Sequence, residues 1–180
     1  MNKKVLFLTQ SAIIAALYTV LTVLAGSLNL ASGVIQVRFS EALTILPAFS
    51  PAAIPGLFIG CLISNILTGC MPLDVVFGSL ATLIGAVGTF LLTHKRKDGE
   101  WISKTGKLTA FLATIPPILS NTVIVPFVLA YVYMYESLVP ELSPVPFFMI
   151  TVAIGEIISC CILGLFLYAA LYPRRKQIFG

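Results

Sequence analysis

Charged side chains are scarce in this chain. Asp, Glu, Lys and Arg make up 10% of its 180 residues, whereas soluble domains average about 25%. Hydrophobic residues make up 58%, and the mean hydropathy is +1.03. This composition excludes an ordinary soluble domain and predicts an integral membrane protein. At roughly 20 residues for each transmembrane helix, the length allows about five to seven crossings and no separate soluble domain.

Sequence motifs for catalysis, phosphate binding and metal binding are also missing. No nucleophile with its base and no ATPase signature is present. Cys61 and Cys70 are nine residues apart, Cys160 and Cys161 are adjacent, and the sole histidine, His94, lies in a basic loop, so the spacing fits neither a metal nor a redox site. We interpret the cysteines as small buried hydrophobic residues. The sequence predicts no enzyme, no cofactor, no metal site and no nucleic-acid partner, and any energy for transport must come from an ion gradient or a partner.

The first apolar run begins directly after the basic start of the chain. No small-residue cleavage site of the A-x-A kind follows it, so we expect a retained first helix from about Val5 to Leu24. The next stretch, Gly26 to Gln36, mixes Gly, Ser and Asn with apolar residues and is predicted to be a loop that folds back over the protein. Such a loop could serve as a lid.

Charge distribution decides how the long apolar run from Ala42 to Pro72 is divided. Three prolines interrupt this run, which could form one kinked span or two short ones. Lys and Arg concentrate on the cytoplasmic side of membrane proteins. An even number of spans must therefore separate each basic cluster from the next, so we divide the run near Ser50 to Pro55. The basic clusters are Lys3 and Lys4; Lys95, Arg96, Lys97, Lys104 and Lys107; and Arg174, Arg175 and Lys176.

The resulting prediction is an all-α integral membrane protein of a single domain, with six transmembrane helices and both termini in the cytoplasm. Glu136 to Pro144, which is acidic and contains proline, is then an external loop. Ten of the eleven Lys and Arg residues lie inside, and Arg38 is the exception. The approximate helices are 5–24, 39–49, 54–69, 74–93, 108–135 and 145–172.

Polar side chains are grouped where the membrane makes them costly, and this grouping marks a candidate site. Arg38, Glu41, Asn65 and Asp74 fall within forty positions of apolar sequence. Arg38 and Glu41 are three apart, so a local ion pair at a helix start is the structural alternative. With alternating helix directions, all four lie in the outer half of the membrane, where Glu156 on the last helix can meet them.

These residue types also predict the chemistry of the ligand. Asn121 joins the group if the fifth helix runs outward. Up to three carboxylates against one Arg predict an acceptor-rich, net negative cavity that suits a neutral or cationic small molecule with many N–H donors. A planar heterocycle also needs aromatic faces. Phe77 and Tyr131 are our candidates, with Phe39 and Phe127 as further aromatic residues in this region.

Three segments carry a resemblance to a known family. VRFSEALTILPAF at 37–49, PGLFIGCLISNILTG at 55–69 and PLDVVFGSLATLIGA at 72–86 resemble the QueT-type family, the queuosine-precursor substrate-binding (S) components of energy-coupling factor (ECF) transporters. The resemblance extends over nearly the whole chain. It implies a bacterial plasma-membrane protein that binds a 7-deazaguanine such as aminomethyl-7-deazaguanine and delivers it by toppling in the bilayer on a transmembrane coupling subunit and two ATPases.

The resemblance also bears on individual residues. From the pattern alone, the small residues Ser11, Ala12, Ala15, Ala16 and Thr19 indicate ordinary packing on one side of the first helix. In S components, however, a small-x-x-x-small step on this helix docks onto the coupling subunit, and Ala12 with Ala16 matches it. The loop after the first helix covers the ligand in such proteins.

Role assignments within the site are hypotheses, with alternatives left open. We expect Glu156 or Glu41 at the guanine edge, Asp74 at an aminomethyl cation, and Asn65 or Asn121 at the carbonyl. A stand-alone secondary transporter is the main rival function, although no half of the chain repeats the other as such transporters usually do. An intramembrane enzyme is a second rival, and it would need a reactive constellation.

Overall fold

Among the residues that the structure describes, the regular secondary structure is helical apart from one short β-hairpin. The computed structural model describes residues 2–30, 35–97, 100–104, 106–139 and 141–179. Between the helices, a 3₁₀ helix covers Phe39–Ala48, a short 3₁₀ turn covers Tyr172–Arg174, and π-helical segments cover Val128–Val132 and Ile157–Leu163. The remaining elements are α1 (Lys3–Ser27), α2 (Ala53–Leu67), α3 (Pro72–Thr93), β1 (His94–Lys97), β2 (Glu100–Ser103), α4 (Lys107–Leu112), α5 (Ile115–Phe127), α6 (Pro144–Glu156), α7 (Gly164–Leu171) and α8 (Arg175–Phe179).

Four helical runs in the described part of the chain have the length and hydropathy to cross a membrane. They are Lys3–Ser27, Pro72–Thr93, Lys107–Val132 and Pro144–Phe179, and the apolar α2 is shorter. The second predicted helix, 39–49, corresponds to the 3₁₀ helix, which contains Pro47 and is buried along its length. A 3₁₀ helix rises about 2.0 Å per residue, so even this short segment extends for roughly 20 Å.

Contacts between distant parts of the chain define two ends of the bundle. Gln10 near the start of α1 donates from Nε2 to Ile178 O and accepts at Oε1 from Ser50 Oγ. Ser103 Oγ at the end of the hairpin donates to Ala48 O over 2.9 Å. The two termini, the 48–50 turn and the hairpin therefore meet at one end, which we call the basic end. The three basic clusters lie on these segments or next to them.

The opposite end, which we call the pocket end, is formed where α1, α2 and α5 finish and α3 begins. Val37 N donates to Leu30 O over 3.0 Å, so the chain returns to the end of α1 before the 3₁₀ helix starts. The predicted lid between them falls partly on residues 31–34, which lie outside the described residues. Pro140 of the predicted acidic loop lies outside them as well.

Two glycines on α2 allow α1 and α2 to pack closely. An added Cβ at Gly56 would come within 2.8 Å of Ser11 O, and one at Gly60 within 2.8 Å of Tyr18 Cβ. The PGLFIG sequence therefore provides the small-x-x-x-small contact inside this bundle. This corrects the prediction that α1 has one small-residue side: Ser11 and Ala15 are buried against α2, whereas Ala12 and Ala16 are exposed. The two pairs lie on different faces of the helix.

Candidate substrate-binding site

A cavity of about 550 Å³ lies at the pocket end, in the size range of small-molecule sites. The ends of α1 and α2, the start of α3, the end of α5 with its π-helical turn, and α6 enclose it. Polar residues in its lining are Thr22, Gln36, Arg38, Asn65, Thr68, Asp74 and Glu136, and two tyrosines, Tyr133 and Tyr135, supply aromatic faces.

A second, much smaller cavity of about 20 Å³ adjoins the first and is lined by Glu41, Asn121 and Glu156. Its volume is close to that needed for one water molecule. Gln36, Arg38, Val125 and Val152 line both cavities, so they form the partition between them. The candidate site therefore has an outer compartment with Asp74 and an inner compartment with two carboxyl groups.

Glu41 is held on the buried 3₁₀ helix by donors from two other helices. Tyr18 on α1 donates its hydroxyl to Glu41 Oε1, and Asn121 Nδ2 on α5 lies 3.5 Å from Oε2. The side chain is 2% exposed. A buried carboxyl group is costly unless it is hydrogen-bonded, so these contacts account for its position.

Glu156 completes the inner compartment from the end of α6. Cys160 Sγ donates to Glu156 Oε2 over 3.2 Å, and Thr44 Oγ1 lies 3.5 Å from the same sulfur. One oxygen each of Glu41 and Glu156 lies within 4.8 Å of the other and of Cys160 Sγ. Such a set could in principle hold a metal ion, but Tyr18, Asn121 and Cys160 already donate to these carboxyl oxygens. We therefore interpret the cluster as a hydrogen-bonded acceptor site.

Asp74 occupies the outer compartment, near the start of α3. Tyr133 donates its hydroxyl to Asp74 Oδ2 over 2.8 Å and accepts at the same oxygen from Met71 N over 3.1 Å. Burial raises the pKa of Tyr133, and the adjacent Asp74 carboxylate raises it further, so the hydroxyl stays a donor. These two bonds join the segment after α5 to the start of α3 beside the cavity.

Arg38 is the cation of the site, and it lies between the two compartments. Within the described part of the chain, its hydrogen bond is to Gln36 Oε1, at 3.5 Å. The structural alternative, a local ion pair with Glu41, is not formed. Arg38 has an extended backbone ahead of the 3₁₀ helix, so the i,i+3 geometry of an α-helix does not apply to it. Its guanidinium therefore retains donors for a ligand.

A close backbone contact holds the Gln36–Arg38 segment in place. An added Cβ at Gly155 on α6 would lie 2.1 Å from Gln36 O, so only a residue without a side chain fits there. The segment that separates the two compartments thus rests directly on α6.

The structure brings together six of the eight predicted substrate-binding residues. The six line one or both cavities: Arg38, Glu41, Asn65, Asp74, Asn121 and Glu156. Phe77 and Tyr131 are not brought to either cavity. Their side chains are 44% and 69% exposed, and Tyr131 stacks on Phe127 instead. Tyr133 and Tyr135 take the aromatic positions, with ring centroids 5.4 Å apart.

Comparison with known proteins gives three findings. The model of the QueT transporter family matches residues 8–173 of this chain. The protein "Queuosine precursor transporter QueT" from Lactococcus lactis subsp. cremoris (strain MG1363) is 37% identical over 103 residues, a match that covers 57% of this chain and 60% of that relative's length. No solved structure matches. Because the family model covers most of the chain, the chain belongs to the QueT transporter family.

Proposed function

We propose that this protein binds a queuosine precursor of the 7-deazaguanine class and is the substrate-binding component of an ECF importer. The observation that carries the proposal is the cavity. Carboxyl and amide groups from the 3₁₀ helix, α2, α3, α5 and α6 line two adjoining compartments inside an apolar chain. The name of the Lactococcus lactis relative supports the ligand class.

The ligand chemistry matches the two compartments. A 7-deazaguanine has an edge of N–H donors beside a carbonyl, and its aminomethyl form adds a cation. We assign Glu41 and Glu156 in the inner compartment to the N–H edge, and Asn121 beside them to the carbonyl. Asp74 in the outer compartment is the partner of the cation, and Asn65 is a further polar contact there.

The inner compartment is too small for a bicyclic ring, so binding requires a change at the partition. Arg38 is the charged member of that partition and has one long hydrogen bond among the described residues. We assign it the role of moving aside as the ring edge reaches Glu41 and Glu156. The ring itself fits within the outer cavity of about 550 Å³, beside the stacked rings of Tyr133 and Tyr135.

We infer the orientation of the protein in the membrane from the two ends of the bundle, and its partner interface from the exposed face of α1. We place the basic end in the cytoplasm, because Lys and Arg favour that side, and the pocket end outside, where the ligand enters. Counting the 3₁₀ helix and α2 as crossings gives six spans with both termini inside. Ala12 and Ala16 are exposed on α1 and allow close approach of another helix, so we assign them to the interface with the coupling subunit.

Ligand binding to three variants of the purified protein tests the site. We expect Glu41→Gln, Glu156→Gln and Asp74→Asn each to weaken binding of the aminomethyl precursor. Hydrogen bonds to charged groups contribute about 1.5–3 kcal/mol, or a roughly 10- to 150-fold change in Kd. Glu141→Gln, an exposed acidic position near the same end, is the control and should bind like the unmodified protein. Unchanged affinity in all three site variants would remove the proposed site.

The importer role needs a separate test. Uptake of labelled precursor should require the coupling subunit and the ATPases, and uptake that persists without any ATPase would favour a stand-alone secondary transporter. Ala16→Leu should reduce co-purification with the coupling subunit while ligand binding is retained. Leu17→Phe enlarges the neighbouring exposed position and serves as the control.

A further inference from the structure

A small β-hairpin stands at the basic end, and neither the cavity nor the α1 interface uses it. β1 follows α3 without a break and pairs antiparallel with β2, with Lys95 opposite Ile102 and Arg96 opposite Trp101. Directly opposite residues of an antiparallel pair share a face of the ribbon. Each face therefore combines a cation with a large apolar side chain.

The hairpin is fixed to the bundle by several contacts. Phe90 on α3 packs against Trp101 with ring centroids 5.3 Å apart, and it stacks on His94 at 4.2 Å. Lys104 bonds to the last turn of α3 with its backbone N, 2.7 Å from Thr93 O, and with its Nζ, 3.0 Å from Leu92 O. With the bond from Ser103 to Ala48, these contacts hold the hairpin at a set depth relative to α3.

The hairpin exposes cations and apolar groups together. Lys95 and Arg96 are exposed, and neither has a partner among the side chains that the structure describes. Trp101 is 50% exposed and Ile102 is 43% exposed. Five basic and two acidic residues lie between positions 94 and 107, so the region carries a positive charge. Exposed apolar side chains beside unpaired cations are typical of a surface that meets a membrane interface.

The depth of the hairpin fits that interface. α3 is long enough to cross the membrane, and Lys95 and Arg96 follow its last residue by two and three positions. At about 3.3 Å per residue, these cations lie within roughly 7–10 Å of the helix end. The headgroup layer on each side of the hydrocarbon core is of the same order, about 5–8 Å thick.

We propose that the β1–β2 hairpin binds the headgroups of anionic phospholipids. Lys95 and Arg96 contact the headgroup phosphates, while Trp101 and Ile102 lie at the boundary with the hydrocarbon. Anionic lipid attracts each Lys or Arg near the surface by an amount that corresponds to a roughly fivefold enrichment. The hairpin would thereby fix the depth of the basic end in the bilayer.

The single tryptophan of the chain makes this proposal directly measurable, because Trp101 is itself on the hairpin. The full-length protein is reconstituted in vesicles of phosphatidylcholine with a minor fraction of phosphatidylglycerol. Bromine is placed on the acyl chains of either the phosphatidylglycerol or the same molar fraction of phosphatidylcholine. We expect brominated phosphatidylglycerol to quench Trp101 at a several-fold lower molar fraction than brominated phosphatidylcholine does. This preference for phosphatidylglycerol should fall at high salt.

Two double variants complete the test. Lys95→Gln with Arg96→Gln should abolish most of the preference for phosphatidylglycerol, while Lys3→Gln with Lys4→Gln removes the same charge from the basic end and should retain it. Lys95→Arg with Arg96→Lys keeps the charge and should also retain the preference. A loss confined to the Gln variants at these positions is then due to the lost charge and not to misfolding. Equal quenching by the two lipids in the unmodified protein would overturn the proposal. So would protection of Trp101 only after the cytoplasmic partner subunits are added, since that result assigns the hairpin to a protein partner.

Discussion

The pocket end and the basic end of this bundle use their polar groups in different ways. At the pocket end, Asp74, Asn65 and Arg38 line a cavity, and their polar atoms can still reach a ligand. At the basic end, Ser50 and Ser103 bond to other parts of the protein. Aromatic rings fill the space between these bonds: Phe49 stacks on Tyr168 at 4.7 Å and on Phe179 at 5.5 Å.

This difference bears on how the protein can work. A transporter that alternates access by itself usually has repeated halves around a central site, so that either side can open. Here the cavities lie toward one end, and the other end is joined by stacked rings and hydrogen bonds between distant segments. This asymmetry supports our proposal that the protein accepts its ligand from one side and relies on partners for delivery.

Among the variants that test this comparison, Gly155→Ala gives the largest expected effect. The added Cβ would lie 2.1 Å from Gln36 O, so the segment that carries Arg38 must shift. Overpacking costs about 1–3 kcal/mol, which corresponds to a roughly 5- to 150-fold loss of affinity if the strain falls on the binding conformation. Isothermal titration with the precursor measures the loss.

Gly164→Ala is the matched control for this prediction. It lies on α7, and its added Cβ would meet its nearest neighbour, Ala42 O, at 3.6 Å, which is an ordinary contact. We expect it to bind ligand like the unmodified protein. If Gly155→Ala also binds normally, the Gln36–Arg38 segment does not shape the site, and the comparison of the two ends loses its main support.

Gly60→Val tests the packing that connects the two ends. Its side chain would overlap Tyr18 Cβ and Ala15 O on α1, so we expect a loss of about 1–3 kcal/mol in stability. Thermal unfolding in detergent should show a lower Tm. Ile59→Val, on the exposed face of α2, is the control and should leave Tm near that of the unmodified protein. Equal Tm values for the two variants would contradict close packing of α1 on α2.

The polar core of the site could be predicted from sequence, because charges and amides are costly in an apolar chain. Arg38, Glu41, Asn65, Asp74, Asn121 and Glu156 stand out against their neighbours for this reason. The tyrosines do not stand out in the same way, since the chain has six of them. Tyr18, which donates to Glu41, was therefore missed. The available signal was that polar side chains recur on the face of α1 opposite the exposed Ala12 and Ala16.

The aromatic side of the site depended on local helix geometry that composition does not reveal. The π-helical turn Val128–Val132 changes the number of residues per turn, so side chains after it point in different directions from those of a regular helix. Tyr133 consequently reaches Asp74, whereas Tyr131 is exposed. On α3, Asp74 and Gly78 define the buried side, and Phe77 lies outside that arc.

Tyr133→Phe is expected to have a smaller effect than the glycine variants. It removes the hydroxyl that joins Asp74 to Met71 N, and one such hydrogen bond contributes about 0.5–1.5 kcal/mol. Affinity for the aminomethyl precursor should change by roughly two- to tenfold, and affinity for a neutral cyano analogue should change less. Titration with both ligands measures the difference, and Tyr135→Phe in the same stacked pair is the control. An equal change in affinity for the two ligands would show that Asp74 does not bind the aminomethyl cation.

The smallest expected effect is a pH dependence at the basic end. Burial lowers the pKa of His94, so the folded protein favours the neutral ring, which stacks on Phe90. Above about pH 6.5, the usual pKa of an exposed histidine, the ring is neutral in both the folded and unfolded states and its contribution to stability is fully present. As the pH falls, the unfolded chain takes up the proton first, and this stabilisation is lost until the folded protein is protonated too. Tm measured between pH 7.5 and 5 should therefore fall more in the unmodified protein than in His94→Phe, which keeps the stacking without titrating. Parallel curves for the two proteins would show that His94 does not contribute to the packing of this end.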